Sequence, residues 1–153
     1  MRSASETDTL TLLNLIKELA SYEKLSDQVV ATEESLRYWL FEMKRAEALV
    51  FEVDHSIIGF ALYFYNFSTF LGKAGLYLED LYIQPDYRHK GYGKQIFKYL
   101  AKLALDKGCG RMEWSVLDLN TPSIEFYTQL GAKPMDEWTT YRLTEKELIR
   151  LTE

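Results

Sequence analysis

Between residues 88 and 94 the chain reads Arg88-His89-Lys90-Gly91-Tyr92-Gly93-Lys94. Glycines here let the backbone turn tightly and bring several N–H groups toward one point, which attracts phosphate. The helix expected from about Gly93 adds unpaired N–H groups and the positive end of its dipole, while Arg88, Lys90 and Lys94 add full charges. A diphosphate suits such a bend. A tight, solvated, basic turn fits the same letters, and the segment alone does not choose between them. It is not a Walker loop, because the Gly-Lys-Ser/Thr ending is missing. A dinucleotide fingerprint is disfavoured too, since Ile96 stands where the third glycine belongs. Just upstream, the apolar run Leu76 to Ile83 carries two adjacent acids, Glu79 and Asp80.

Other chemistries find little support. Cys109 is the only cysteine and is flanked by glycines, so neither an internal disulfide nor a multi-cysteine metal site is available. His55 and His89 are the only histidines and have no acidic or cysteine motif at ligand spacing, which leaves no basis for a catalytic zinc or a Ser-His-Asp triad. No metal is expected. A net charge of -5 disfavours nonspecific binding to nucleic acid and is compatible with a cationic substrate. With 47% apolar and 27% charged residues the chain has the balance of a folded globular protein. Its 153 residues fit one domain, residues 1–153, without a linker or repeat. No run of about 18 apolar residues occurs, and Met1 to Glu6 lack a secretory apolar stretch. The expectation is a soluble, cytoplasmic protein with no membrane partner.

The elements that must hold these residues follow from periodicity. Leu12, Leu15, Ile16 and Leu19 recur at helical spacing from Asp8. A second helix is expected from Thr32 to Met43 with Leu36, Trp39, Leu40 and Met43 on one face, and Tyr22 to Ala31 reads as loop. Leu49 to Val53 and Ile57 to Tyr65 form a hairpin around Asp54-His55-Ser56. After a loop from Ser68 to Gly75, Leu76 to Ile83 gives a third strand, with Leu76, Leu78 and Asp80 on one face and Tyr77, Glu79, Leu81 and Ile83 on the other. A strong helix follows from Gly93 to Gly108. Then come a strand at Met112 to Val116, a helix at Thr121 to Leu130, strand material from Lys133 to Leu143, and a helical tail from Thr144. Three hairpin-ordered strands followed by strand-helix-strand-helix-strand imply a mixed sheet with helices on its faces.

Set in that strand-loop-helix order, Arg88-x-x-Gly91-x-Gly93 resembles the coenzyme A pyrophosphate signature of the GNAT superfamily of N-acetyltransferases. Leu76-Tyr77-Leu78-Glu79-Asp80, Asn120-x-Pro122-Ser123-Ile124-x-Phe126-Tyr127-x-x-x-Gly131-Ala132 and Leu15-Ile16-Lys17-Glu18-Leu19-Ala20-x-Tyr22-Glu23 are similar to its spermidine/spermine and thialysine acetyltransferase branch. The first strand is cut to little more than Met1 to Ala4, and Asp136 to Tyr141 lacks the acid that the branch carries before the aromatic. The resemblance implies the α/β GNAT fold, a central mixed and mostly antiparallel sheet with helices on both faces. It also implies acetyl-CoA as donor with coenzyme A as product, no metal, and a homodimer.

It implies roles as well. Leu81, Tyr82 and Ile83 would pair their backbone with pantetheine, and Arg88, His89, Lys90, Gly91, Tyr92, Gly93 and Lys94 would hold the diphosphate. Asn120, Pro122, Ser123 and Tyr127 would complete the coenzyme contacts. A protonated amine must lose a proton before it attacks a thioester, and Glu79 would accept it, directly or through water. The departing thiolate needs a proton, which the phenol of Tyr127 would supply. Tyr22, Glu23 and Glu79 would receive a small cationic amine: a diamine, polyamine or lysine-like chain. Each has a plainer reading: Glu79 as a surface carboxylate, Tyr127 as packing, Asn120 and Ser123 as helix capping, Tyr22-Glu23 as a helix end. A protein or peptide acetyltransferase and a noncatalytic acyl-CoA sensor are the alternatives in function.

Overall fold

β-Branched and aromatic residues in the middle of the chain build the sheet on which the helices pack. The computed structural model describes residues 1–153, and its contacts divide into two units, Met1–Ser115 and Val116–Glu153.

In the first unit the strands are β1 (Arg2–Ser3), β2 (Glu47–Val53), β3 (Ser56–Ser68), β4 (Lys73–Ile83) and β5 (Arg111–Trp114), paired in that order. β1 to β4 are antiparallel neighbours, and β5 joins β4 in parallel. Asp54 and His55 turn β2 into β3 with φ of 49° and 65°, the left-handed pair that a two-residue hairpin needs. The second hairpin is longer than its sequence suggests. Asn66, Phe67 and Ser68 pair with Gly75, Ala74 and Lys73, and Ser68 Oγ accepts the Leu71 N–H at 3.2 Å, so only a short turn replaces the loop expected from Ser68 to Gly75.

Two bulges change which side chains share a face. Phe51 opposes Gly59 while Glu52 opposes Ile57, which leaves Ile58 as an extra residue; Leu62 opposes Asp80 while Tyr63 opposes Leu78, which leaves Glu79 as another. Directly opposed residues share a face. Asp80 therefore lies with Leu62, Phe60 and Tyr82, and Leu78 lies with Tyr63 on the reverse side. This corrects the strict alternation expected for Leu76 to Ile83, because the extra residue reverses the parity.

Helix α1 (Thr9–Tyr22) covers the Phe60 face: Leu12, Leu15, Leu40, Ala48, Val50, Phe60 and Tyr82 form one core, with Ile16, Leu19 and Leu36 packed against it. Its start is held by Arg2, which pairs with Asp8 at 2.7 Å and Glu52 at 3.1 Å, so the Asp8 carboxyl sits well below the usual carboxylate range. Helix α2 (Glu33–Arg37) is capped by Thr32 and runs on into a wider π turn over Tyr38–Glu42. That turn rotates the residues after it, so Trp39 and Met43, expected inside, are exposed while Leu40 is buried. Helix α3 (Tyr92–Asp106) packs on β4 and β5, burying Ile96, Phe97, Leu100 and Ala104. Its Phe97 ring meets Trp114 of β5 edge-on at 5.0 Å.

The second unit holds helices α4 (Thr121–Gln129) and α5 (Glu145–Leu151). The strand expected over Lys133 to Leu143 is not formed. Pro134 lacks a donor, and the Trp138 N–H closes a turn onto Met135 O at 3.1 Å, which leaves no extended run for a ladder.

Candidate active site

Strands β4 and β5 part at one point. Their ladder ends with the Leu78–Trp114 pair, so from Glu79 to Ile83 only the β3 side of β4 is paired. The bulge at Glu79 falls on the same residue and increases the twist there. Gly59 of β3 backs this end of β4: a Cβ on it would lie 2.3 Å from the Tyr82 carbonyl oxygen, so no larger residue allows the two backbones to approach. Leu81, Tyr82 and Ile83, the residues expected to pair with pantetheine, thus offer a backbone edge that is open on the β5 side.

A 3₁₀ turn over Pro85–Tyr87 leads from β4 into the glycine-bearing bend. His89 and Gly91 are both left-handed, with φ of 60° and 82°. Gly91 has open space around it, so it is the backbone angle, not crowding, that asks for glycine. The first helical bond of α3 runs from the Gln95 N–H to Gly91 O at 3.2 Å, which leaves the N–H groups of Tyr92, Gly93 and Lys94 without intrahelical partners. Three backbone donors therefore lie free at this helix start, a geometry that attracts an anion. Lys94 is exposed, Lys90 lies with its ammonium 5.1 Å from the Tyr87 ring centre, and Arg88 turns its guanidinium to the Ile83 carbonyl, 2.8 Å from Nε.

On the Phe60 face the acids gather. Glu79 is exposed, whereas Asp80 is partly buried, and its carboxyl is pushed up to about 6 by burial first and then by the negative charges of Glu79 and Glu23. Burial also raises Glu23. Tyr22 and Glu23 end α1, where Lys24 adopts φ of 60° and the Leu25 N–H returns to Ala20 O at 2.8 Å, a left-handed C-terminal cap on a non-glycine residue. Tyr22 and Glu23 therefore do end a helix, and Glu23 also lies close enough to Asp80 to affect its proton. Strict alternation sets Asp80 on the face opposite Glu79, yet in the structure it feels the charges of both Glu79 and Glu23. The only sequence signal was its position beside Glu79, and the bulge that turns it toward Glu23 leaves no mark in the hydrophobic pattern.

In the second unit, Asn120 caps α4: its Oδ1 accepts the Ser123 N–H at 3.4 Å, with Pro122 in the first turn. The capping reading of Asn120 and Ser123 is thus realised in the geometry. Tyr127 is half-buried on the same helix, beside Phe126 with ring centres 5.6 Å apart.

Residues 12–132 match the Acetyltransferase (GNAT) family. A thialysine N-epsilon-acetyltransferase of Bos taurus is 41% identical over 98% of this chain and 94% of its own length. An L-ornithine N5-acetyltransferase of Arabidopsis thaliana is 31% identical over 94% of this chain and 83% of its own. Among solved structures, an integron cassette protein from the mobile metagenome of V. cholerae aligns with a TM-score of 0.82 at 27% identity, covering 99% of this chain and 96% of that one. The open β4 edge, the helix start at Gly91 and these similarities agree, and the chain belongs to the GNAT family of acetyltransferases.

Proposed function

We propose that this enzyme transfers acetyl from acetyl-CoA to a primary amine of a small cationic substrate, a lysine-like or diamine chain, by direct attack with both substrates bound. The observation that carries this reading is the coincidence of an open β4 edge over Glu79 to Ile83 with three unpartnered N–H groups at the start of α3. The residues fit the donor. The edge at Leu81, Tyr82 and Ile83 suits the amide-bearing pantetheine arm, and the Tyr92, Gly93 and Lys94 N–H groups with the side chains of His89, Lys90 and Lys94 suit a diphosphate. Bound acetyl-CoA supplies an acetyl group activated as a thioester.

The chain's own residues handle charge and protons. Glu23, Glu79 and Asp80 favour an ammonium-bearing molecule, in keeping with the relatives named for thialysine and ornithine. Glu79 takes the proton that the attacking nitrogen gives up, and Asp80 beside it, poised near 6, shares it. As the C–N bond forms and the C–S bond breaks, the Tyr127 phenol donates its proton to sulfur and recovers one from solvent. Asn120, Pro122 and Ser123 serve coenzyme contact in this reading. The family match spans the boundary at Ser115, which supports treating residues 1–153 as one acetyltransferase domain. Exposed Phe67 and Phe70 support a homodimer, and a single buried cysteine suits a cytoplasmic location. Light scattering tests the first and fractionation the second.

Thiol release from acetyl-CoA with thialysine, ornithine, spermidine, lysine and a peptide panel tests the activity. Turnover is expected with the small amines. Turnover with peptides alone would replace the substrate class, and binding without turnover would leave an acyl-CoA sensor.

A further inference from the structure

We propose that Arg88 is a positioning residue, locking the phosphate bend to the end of α1 that carries Tyr22 and Glu23. Its guanidinium carbon lies 4.5 Å from the Tyr22 ring centre and 5.3 Å from that of Tyr82, while Nε donates to the Ile83 carbonyl at 2.8 Å. A planar, weakly hydrated cation suits this place between rings, and an ammonium does not reproduce the contact. One helical turn earlier on α1, Glu18 accepts from Gln84 Nε2 at 3.2 and 3.3 Å. Glu18 and Tyr22 are four residues apart and so lie on one helix face, and their partners lie on the short stretch from Tyr82 to Arg88. Tyr22 is 51% exposed, so the core alone does not fix its ring. The residue after it, Glu23, leads straight into the left-handed Lys24, and where Glu23 points therefore depends on how firmly Tyr22 is held.

The consequence rests on the proposed amine site: the segment that grips the donor also sets the acceptor side. If Arg88 only bound phosphate, its loss would weaken acetyl-CoA and leave the amine untouched. Two measurements separate these roles. Steady-state kinetics of Arg88→Lys, which keeps the charge and loses the flat face, are expected to show a three- to five-fold rise in the amine KM, about the worth of one such contact. Tyr22→Leu should give a similar rise, the double variant little more than either, and Tyr22→Phe should recover most of the loss because it keeps the ring. Hydrogen exchange on the substrate-free protein should show faster exchange of the Glu23 and Leu25 amides in Arg88→Lys. An unchanged amine KM and unchanged exchange, with only acetyl-CoA affinity reduced, would overturn the proposal. If the wild type acetylates no amine, the proposed function fails, and the exchange comparison decides the Arg88 contact alone.

Discussion

The two units meet water very differently. In Met1–Ser115, Leu12, Val50, Phe60, Leu76 and Leu100 are fully buried, and each functional backbone segment rests on that core. In Val116–Glu153 no residue is buried, and Leu119, Trp138 and Tyr141 are 94%, 71% and 93% exposed. The glycine-bearing bend and the open strand edge are therefore products of packing that their own unit supplies. Tyr127, by contrast, sits on a nine-residue helix capped by Asn120, in a unit without a buried residue. On the proposed roles, donor binding should be the robust property of this enzyme and proton delivery by Tyr127 the fragile one.

The sharpest way to break this contrast is to remove the phenol. Tyr127→Phe is expected to lower kcat by about 10²- to 10⁴-fold with acetyl-CoA affinity retained, measured by thiol release and calorimetry. Full rate in that variant would remove Tyr127 from the chemistry. Next in size, Gly91→Ala puts a Cβ where φ is 82°, a strain of about 1–2 kcal/mol, and acetyl-CoA binding should weaken about ten-fold as the bend relaxes.

Both predictions concern features that the letters announced. The glycine pattern, the capped helix starts and the two hairpins of β2, β3 and β4 were legible because each depends on neighbours close in the chain. The bulges were not, because an extra residue on one strand is defined only against its partner: nothing in Leu78-Glu79-Asp80 says that Leu62 and Tyr63 will leave Glu79 unopposed. The π turn over Tyr38–Glu42 misled in the same way, since the heptad-like spacing of Leu36, Trp39, Leu40 and Met43 presumes a constant helical pitch. Lys133 to Leu143 has strand composition, but composition does not supply a neighbouring edge.

Asp80 turns the missed bulge into a stability measurement. Burial, with the charges of Glu79 and Glu23 beside it, pushes its folded carboxyl up to about 6, above the roughly 3.9 of an unfolded aspartate. Between those values the folded chain holds a proton that the unfolded chain has lost, so stability falls as pH rises from about 4 to about 6 and stays lower above that. Asp80→Asn removes this loss, and chemical denaturation at pH 7 should find the variant more stable by about 2–3 kcal/mol. A variant no more stable than wild type would show that Asp80 is well solvated. Smallest of all, Glu23→Gln should raise the amine KM about two- to five-fold without changing acetyl-CoA affinity, because its half-exposed charge is screened. A change in coenzyme affinity instead would tie Glu23 to the donor side.

The central claim is that the start of α3 and the open β4 edge together hold a thioester carrier by its diphosphate and its amide arm. Calorimetric titration of the wild-type protein with coenzyme A and, separately, with pantetheine tests it most directly. Saturable uptake of coenzyme A with much weaker uptake of pantetheine is the predicted result; no heat of binding with coenzyme A, or equal affinity for the two, would contradict it.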